Sequence, residues 1–170
     1  MPAAPVLESD EQISALVKSW RAAGKKIVMT SGVFDIIHRG HLSVLSQARA
    51  FGDCLLVVIN SDASVRRKKG PKRPINALED RMGMLAALRA VDAVGSFDED
   101  GEQPLALVRL VAPDVFVKSS GEWTEETFAF RQLVEMHGGE AKLVSHTANY
   151  STSNLVKKIL DRYSTGPGIE

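Results

Sequence analysis

Lys26-Ile27-Val28-Met29-Thr30-Ser31-Gly32-Val33-Phe34-Asp35-Ile36-Ile37-His38-Arg39-Gly40-His41 is the stretch whose reading decides the fold. It opens as a short β-rich run and breaks at Gly32. It then leads into a helix expected over 40–50, with Leu42, Leu45 and Ala48 on one face. Downstream, Leu55-Leu56-Val57-Val58-Ile59 shows no polar alternation, the pattern of a strand buried on both faces. Upstream, Ser9 with Gln12 has capping-box spacing, and Ile13, Leu16, Val17 and Trp20 form one helical stripe that Gly24 ends. Past a basic stretch, Asn76 and Glu79 predict a second capping box, opening a helix through residue 89. Strands are expected at 92–94, 114–117 and 141–144. Helices are expected at 104–111, at 124–136 with Thr124 as cap, and at 151–163. Strands and helices alternate with short connections, which predicts an α/β fold with right-handed crossovers, a parallel sheet and helices on both faces. Ligands of such sheets bind at the carboxyl ends of the strands, near the switch point.

The chain has 170 residues, a size for one compact domain. The expected organisation is a single domain over 1–163, with 1–8 as an extension and 164–170 as a frayed tail. Lys plus Arg and Asp plus Glu both count 21, a balance that argues against a dedicated nucleic-acid or anionic-membrane binder. The apolar runs fall far short of the roughly 20 residues that cross a bilayer, and the first residues lack the basic and apolar regions of an export signal. A cytoplasmic protein is expected. Its one cysteine, Cys54, excludes both an internal disulfide and a multi-cysteine zinc site.

Neither G-x-G-x-x-G nor the P-loop pattern occurs in the chain. The chemistry instead gathers after the first strand. There Gly32 is read as leaving room for a ligand, and His38 and His41 lie three apart at a helix start. Gly40 between them lets a phosphate approach a helix N-terminus, whose free amides and dipole favour anions. Two imidazoles aimed at one spot would stabilise charge on a phosphoryl group. Two histidines are too few for a metal site, so no protein metal ligands are expected. Six of the eight residues from 66 to 73 are basic. They are read as a mobile loop able to close over a triphosphate. Hydroxyls at Ser151 and Thr152 open the last helix, where they would serve as caps and as phosphate contacts.

The stretch through His38-Arg39-Gly40-His41 resembles the H-x-G-H signature of the nucleotidyltransferase superfamily. Ser61 to Arg67, Lys69-Gly70-Pro71, Arg73-Pro74 and Asn76 to Arg81 resemble the heptose 1-phosphate adenylyltransferases within it. The resemblance implies five parallel strands in the order 3-2-1-4-5 and transfer of AMP from ATP to a heptose 1-phosphate. Mg²⁺ would accompany ATP, and the assembly would be a homodimer or larger. It further implies catalysis by His38, His41 and Lys69. Gly32, Val33, Phe34, Asp35, Gly40, Arg81, Arg89, Ser151 and Thr152 would meet the nucleotide, and Asn60, Asp62, Lys118 and Trp123 the sugar phosphate. Lys118-Ser119-Ser120-Gly121-Glu122-Trp123 is one residue longer than the related Lys-Gly-Gly-Asp-[Trp/Tyr]. Two alternatives stand beside this one: a cytidylyltransferase acting on a small alcohol phosphate or phosphonate, and a nucleotide-binding module without catalysis.

Overall fold

The computed structural model describes residues 3–99, 104–119, 125–145 and 150–163, with backbone alone over 125–129. Twelve elements follow in the order α1 (Asp10–Ala22), β1 (Ile27–Gly32), α2 (Arg39–Arg49), β2 (Cys54–Asn60), α3 (Asp62–Lys69), α4 (Leu78–Ala86), β3 (Ala93–Phe97), α5 (Leu105–Val111), β4 (Val115–Ser119), α6 (Glu125–Met136), β5 (Glu140–Val144) and α7 (Thr152–Tyr163). The five strands form one parallel sheet in the order β3-β2-β1-β4-β5. The reversal of direction at β1 opens a crevice between the loops that follow β1 and β4.

The period of two within the strands divides the core. Ile27 and Met29 of β1, with Leu56 and Val58 of β2, face Ile13, Val17 and Trp20 of α1 and Leu107, Val108 and Val111 of α5. Val28, Leu55, Val57 and Ile59 face Val44, Leu45 and Ala48 of α2 and Leu85 of α4. All seven residues of β2 are buried, as its unbroken apolar run predicts. Asp114 ties the lower end of the sheet to α1. Its carboxylate accepts from Arg21 at 2.6 and 2.7 Å and from the Ile27 amide at 2.6 Å.

Residues before α1 form a strap along β3. Val6 bridges Val94, the Leu7 amide donates to the Val94 carbonyl at 2.8 Å, and Val94 donates to Pro5 at 3.0 Å. Leu7 is buried beneath the strap.

Two local expectations are overturned. The basic stretch is not an extended loop, because Asp62–Lys69 is helix α3. Ser61 caps it, accepting from the Ser64 amide at 3.0 Å, and four cations in its last turn complement the negative end of the helix dipole. Gly70 ends it with φ 90°, a left-handed conformation that favours glycine. Nor does Asn76 cap α4. The N-cap is Ala77, and the Asn76 amide group donates instead to the Asp35 carbonyl. The expected cap Thr124 and the tail 164–170 lie outside the described residues.

Candidate active site

A cavity of about 290 Å³ opens at the carboxyl ends of the strands. The segment 30–35, His41 and Val44 line its floor. Lys69 and Arg73 reach it from the β2 side, and Ser119, Thr152 and Ser153 from the side of β4 and α7. The sheet thus brings together residues from four separate stretches of sequence.

The histidines sit where β1 hands over to α2. His38 is the N-cap, its Nδ1 accepting from the His41 amide at 3.4 Å, so one imidazole is held by the helix start itself. The two rings stack with centroids 3.7 Å apart and planes at 17°. Phe34 packs on His41 at 4.9 Å and takes a positive φ of 50°. Gly40 is buried in the first turn of α2 between the two histidines. Gly32 lines the cavity, and a Cβ there would stand 2.8 Å from the Phe34 ring, so the protein's own aromatic already asks for a glycine.

Arg81 holds the loops around the site. It is fully buried, yet its guanidinium donates to the carbonyls of Val33 (2.7 Å), Asn60 (2.9 Å) and Asn76 (3.1 Å) and to the Asp62 carboxylate (2.7 Å). One side chain therefore locks the turn after β1, the end of β2, the start of α3 and the approach to α4. The expectation that Arg81 binds nucleotide is corrected, since a 0 % exposed guanidinium with these four partners has no face for a ligand. Asn60 and Asp62, expected on the sugar phosphate, are corrected with it. Asn60 is buried and donates to the Ser64 hydroxyl at 3.1 Å, while Asp62 is paired with Arg81.

Arg89 is also misplaced by the sequence reading. It follows the end of α4 and lines a separate surface depression with Ala3, Ala4 and Asp92, at the end of the sheet where β3 begins. The site lies at the other end. Asp35 does line the cavity, but its carboxylate is taken by Arg73 and by the amides of Ile75 (2.7 Å) and Asn76 (3.0 Å). Ser151 caps α7 by accepting from the Asn154 amide at 3.1 Å, and Thr152 and Ser153 reach the cavity. Lys118 is half-buried near the end of β4, and its neighbour Ser119 is the residue that lines the cavity. Trp123 lies outside the described residues. Arg73 and Ser119 stand within motifs quoted from the sequence and Ser153 beside Thr152, but none of the three was named there as a site residue. The signal for Arg73 was its place in the basic stretch beside a proline. Cys54 plays no part, because burial, reinforced by nearby Asp92, pushes its thiol up to about 11.

The model of the cytidylyltransferase-like family matches residues 29–158, which include every residue described as lining the cavity. The chain belongs to the cytidylyltransferase-like family. Among its relatives, the bifunctional protein HldE of Hahella chejuensis is 48% identical over 149 residues, 88% of this chain and 31% of that protein. The bifunctional protein HldE of Klebsiella pneumoniae subsp. pneumoniae is 46% identical over 151 residues, 89% of this chain and again 31% of the relative. The chain thus spans about a third of the length of these relatives. A solved lipopolysaccharide core biosynthesis protein from Thermoplasma volcanium GSS1 superposes with TM-score 0.60 and 28% identity, over 75% of this chain and 100% of that one. Pantoate-beta-alanine ligase from Francisella tularensis shares the fold, with TM-score 0.65 and 14% identity over 94% of this chain and 80% of its own. No helix among the described residues is long and apolar enough to cross a membrane.

Proposed function

We propose that this protein transfers AMP from MgATP to a heptose 1-phosphate, giving ADP-heptose and pyrophosphate. The observation that carries the reading is the stacked His38–His41 pair at the start of α2, beside a cavity that also receives Lys69 and the hydroxyl-bearing start of α7. The similarity to the HldE proteins over nearly the whole chain supports the choice of a sugar phosphate as acceptor.

In the proposed step, an oxygen of the sugar phosphate attacks the α-phosphorus of ATP. One O–P bond forms, the bond from the α-phosphorus to the bridging oxygen breaks, and pyrophosphate departs with its electron pair. No side chain acts as nucleophile. His38 and His41 would donate hydrogen bonds to oxygens gaining negative charge at the α-phosphorus, and Lys69 would face the phosphate chain. Because His38 is fixed as a helix cap and His41 by stacking, these donors need little rearrangement as charge develops. Thr152, Ser153 and the amides of the first turn of α7 would hold the nucleotide's phosphates. The Mg²⁺ is part of the substrate. Among the described residues, Asp35 is the one carboxylate lining the cavity, and it is engaged by Arg73 and two amides, so triphosphate oxygens would hold the ion.

Residues 1–163 would act as one nucleotidyltransferase domain, in the cytoplasm and as a homodimer or larger. The test is pyrophosphate release with Mg²⁺ across ATP, CTP, GTP and UTP, each against heptose 1-phosphate and glycerol 3-phosphate. Release with ATP and the heptose alone is expected. Release with CTP and glycerol 3-phosphate would favour the cytidylyltransferase alternative, and nucleotide binding without release would favour a non-catalytic module.

A further inference from the structure

Among the described residues, Arg73 is the one guanidinium that lines the cavity, and a buried carboxylate anchors it. Its Nε donates to Oδ2 of Asp35, a carboxylate only 1% exposed. Oδ1 of the same carboxylate accepts from the amides of Ile75 and Asn76 at 2.7 and 3.0 Å, and the Asn76 side chain returns a hydrogen bond to the Asp35 carbonyl. Asp35 therefore clamps the whole segment 73–76 against the turn that carries the histidines.

A guanidinium has five N–H donors on two edges. Among the described residues, the Nε hydrogen of Arg73 is the one with a protein acceptor, which leaves the Nη1–Nη2 edge with none. The contrast with Arg81 is direct. There the guanidinium is completely buried and both edges hold backbone carbonyls or Asp62. Arg73 is 20% exposed and lines the cavity beside Lys69. An arginine held by one edge and offering the other suits two parallel hydrogen bonds to a phosphate, which a lysine at the same place could not make.

We infer that Arg73 binds a phosphate group in the cavity through its Nη1–Nη2 edge, and that Asp35 is the positioning residue that aims it. The inference rests on the adenylyl-transfer reading for the identity of the phosphate. Two ligands of that reaction carry one within reach of this chemistry: the departing pyrophosphate and the acceptor's own phosphate. Asp35 makes no contact with the nucleotide in this assignment. Its effect travels through Arg73.

The experiment measures binding of inorganic pyrophosphate and of heptose 1-phosphate by calorimetry in the presence of Mg²⁺, alongside steady-state turnover. The proteins are the wild type, Arg73→Gln, Arg73→Lys, Asp35→Asn, Arg73→Gln/Asp35→Asn and the surface control Arg109→Gln, each checked for folding by thermal melting. Both Arg73 variants are expected to weaken one of the two ligands at least tenfold, while Arg109→Gln binds both as the wild type does. Loss confined to pyrophosphate identifies the leaving group, and loss confined to heptose 1-phosphate identifies the acceptor. Asp35→Asn should weaken the same ligand, and should add little once Arg73 is already glutamine. Arg73→Lys keeps the charge, so its loss of affinity in a folded protein isolates the role of the fork. Binding of both ligands within twofold of wild type in Arg73→Gln and Arg73→Lys would overturn the assignment. A wild type that binds pyrophosphate through Arg73 yet transfers nothing to heptose 1-phosphate would sustain it and refute the sugar reading alone.

Discussion

The two flanks of the cavity are built differently. On the β2 side, Asp35, Asn60, Ser64 and Arg81 are all buried polar residues; the bonds of Asn60 to Ser64 and of Arg81 to the Asn60 carbonyl tie β2 to helix α3, which carries Lys69, and Asp35 holds Arg73 and the Asn76 amide. On the β5 side, α7 has no buried residue, and Ile159, Leu160 and Tyr163 are 48, 56 and 56% exposed. Of the five residues of β5, one is buried. The first flank can hold charged groups at set distances before any ligand arrives, which is what electrostatic stabilisation of a transition state requires. The second flank, which presents Thr152 and Ser153 to the cavity, is far less buried. Preorganisation in this protein is one-sided.

The largest expected effect tests the rigid flank at its centre. Arg81→Met should lower stability by about 3–5 kcal/mol, because Asp62 and three carbonyls lose a buried partner together. A shift of the urea midpoint measures it, and an unchanged midpoint would show that the network is not what holds the loops. Next come the histidines. His38→Ala and His41→Ala should each slow pyrophosphate release on the order of 10²–10³-fold, while the protein still melts cooperatively. His38→Ala should also lose about 1 kcal/mol of stability as a helix cap, whereas His41→Ala has no cap to lose. Near-normal turnover in both would place the chemistry elsewhere. The smallest effect belongs to the open flank: Leu160→Ser should change stability by no more than about 0.5 kcal/mol. A larger loss by calorimetry would mean that the apolar face of α7 is covered in solution, and the contrast between the flanks would have to be softened.

The fold was legible because burial on both faces leaves a plain mark in β2, and because a strand, a glycine and a helix cap follow one another between Ile27 and His41. The histidines were legible for the same reason, being attached to that mark. What misled was the assumption that polar residues near the site point into it. Arg81 and Arg89 look alike eight residues apart in sequence, but α4 runs away from the cavity and ends at Ala86, so Arg89 stands beyond its far end. Arg81 then turned inward because three loop carbonyls needed donors, and nothing local announces such a need. Helix α3 was hidden by its charge. Ser61 caps it and Gly70 ends it, yet the cations between them read as a mobile loop, although in the last turn they favour the helix. Asn76 and Asp35 show the same lesson at shorter range, a cap residue and a ligand candidate each claimed by the other.

The strap over β3 leaves the sheet with unlike margins. Backbone groups at the rim of a sheet invite another chain to pair with them. Along β3 the invitation is partly answered from within, by Pro5 and Leu7 on either side of the Val6–Val94 bridge. Along the outer side of β5, among the described residues, no strand pairs. Any strand-to-strand association of this molecule is therefore steered toward β5. There the side chains of Glu140 and Lys142, joined in an ion pair, put charge on the edge strand and discourage unselective pairing of one sheet edge with another.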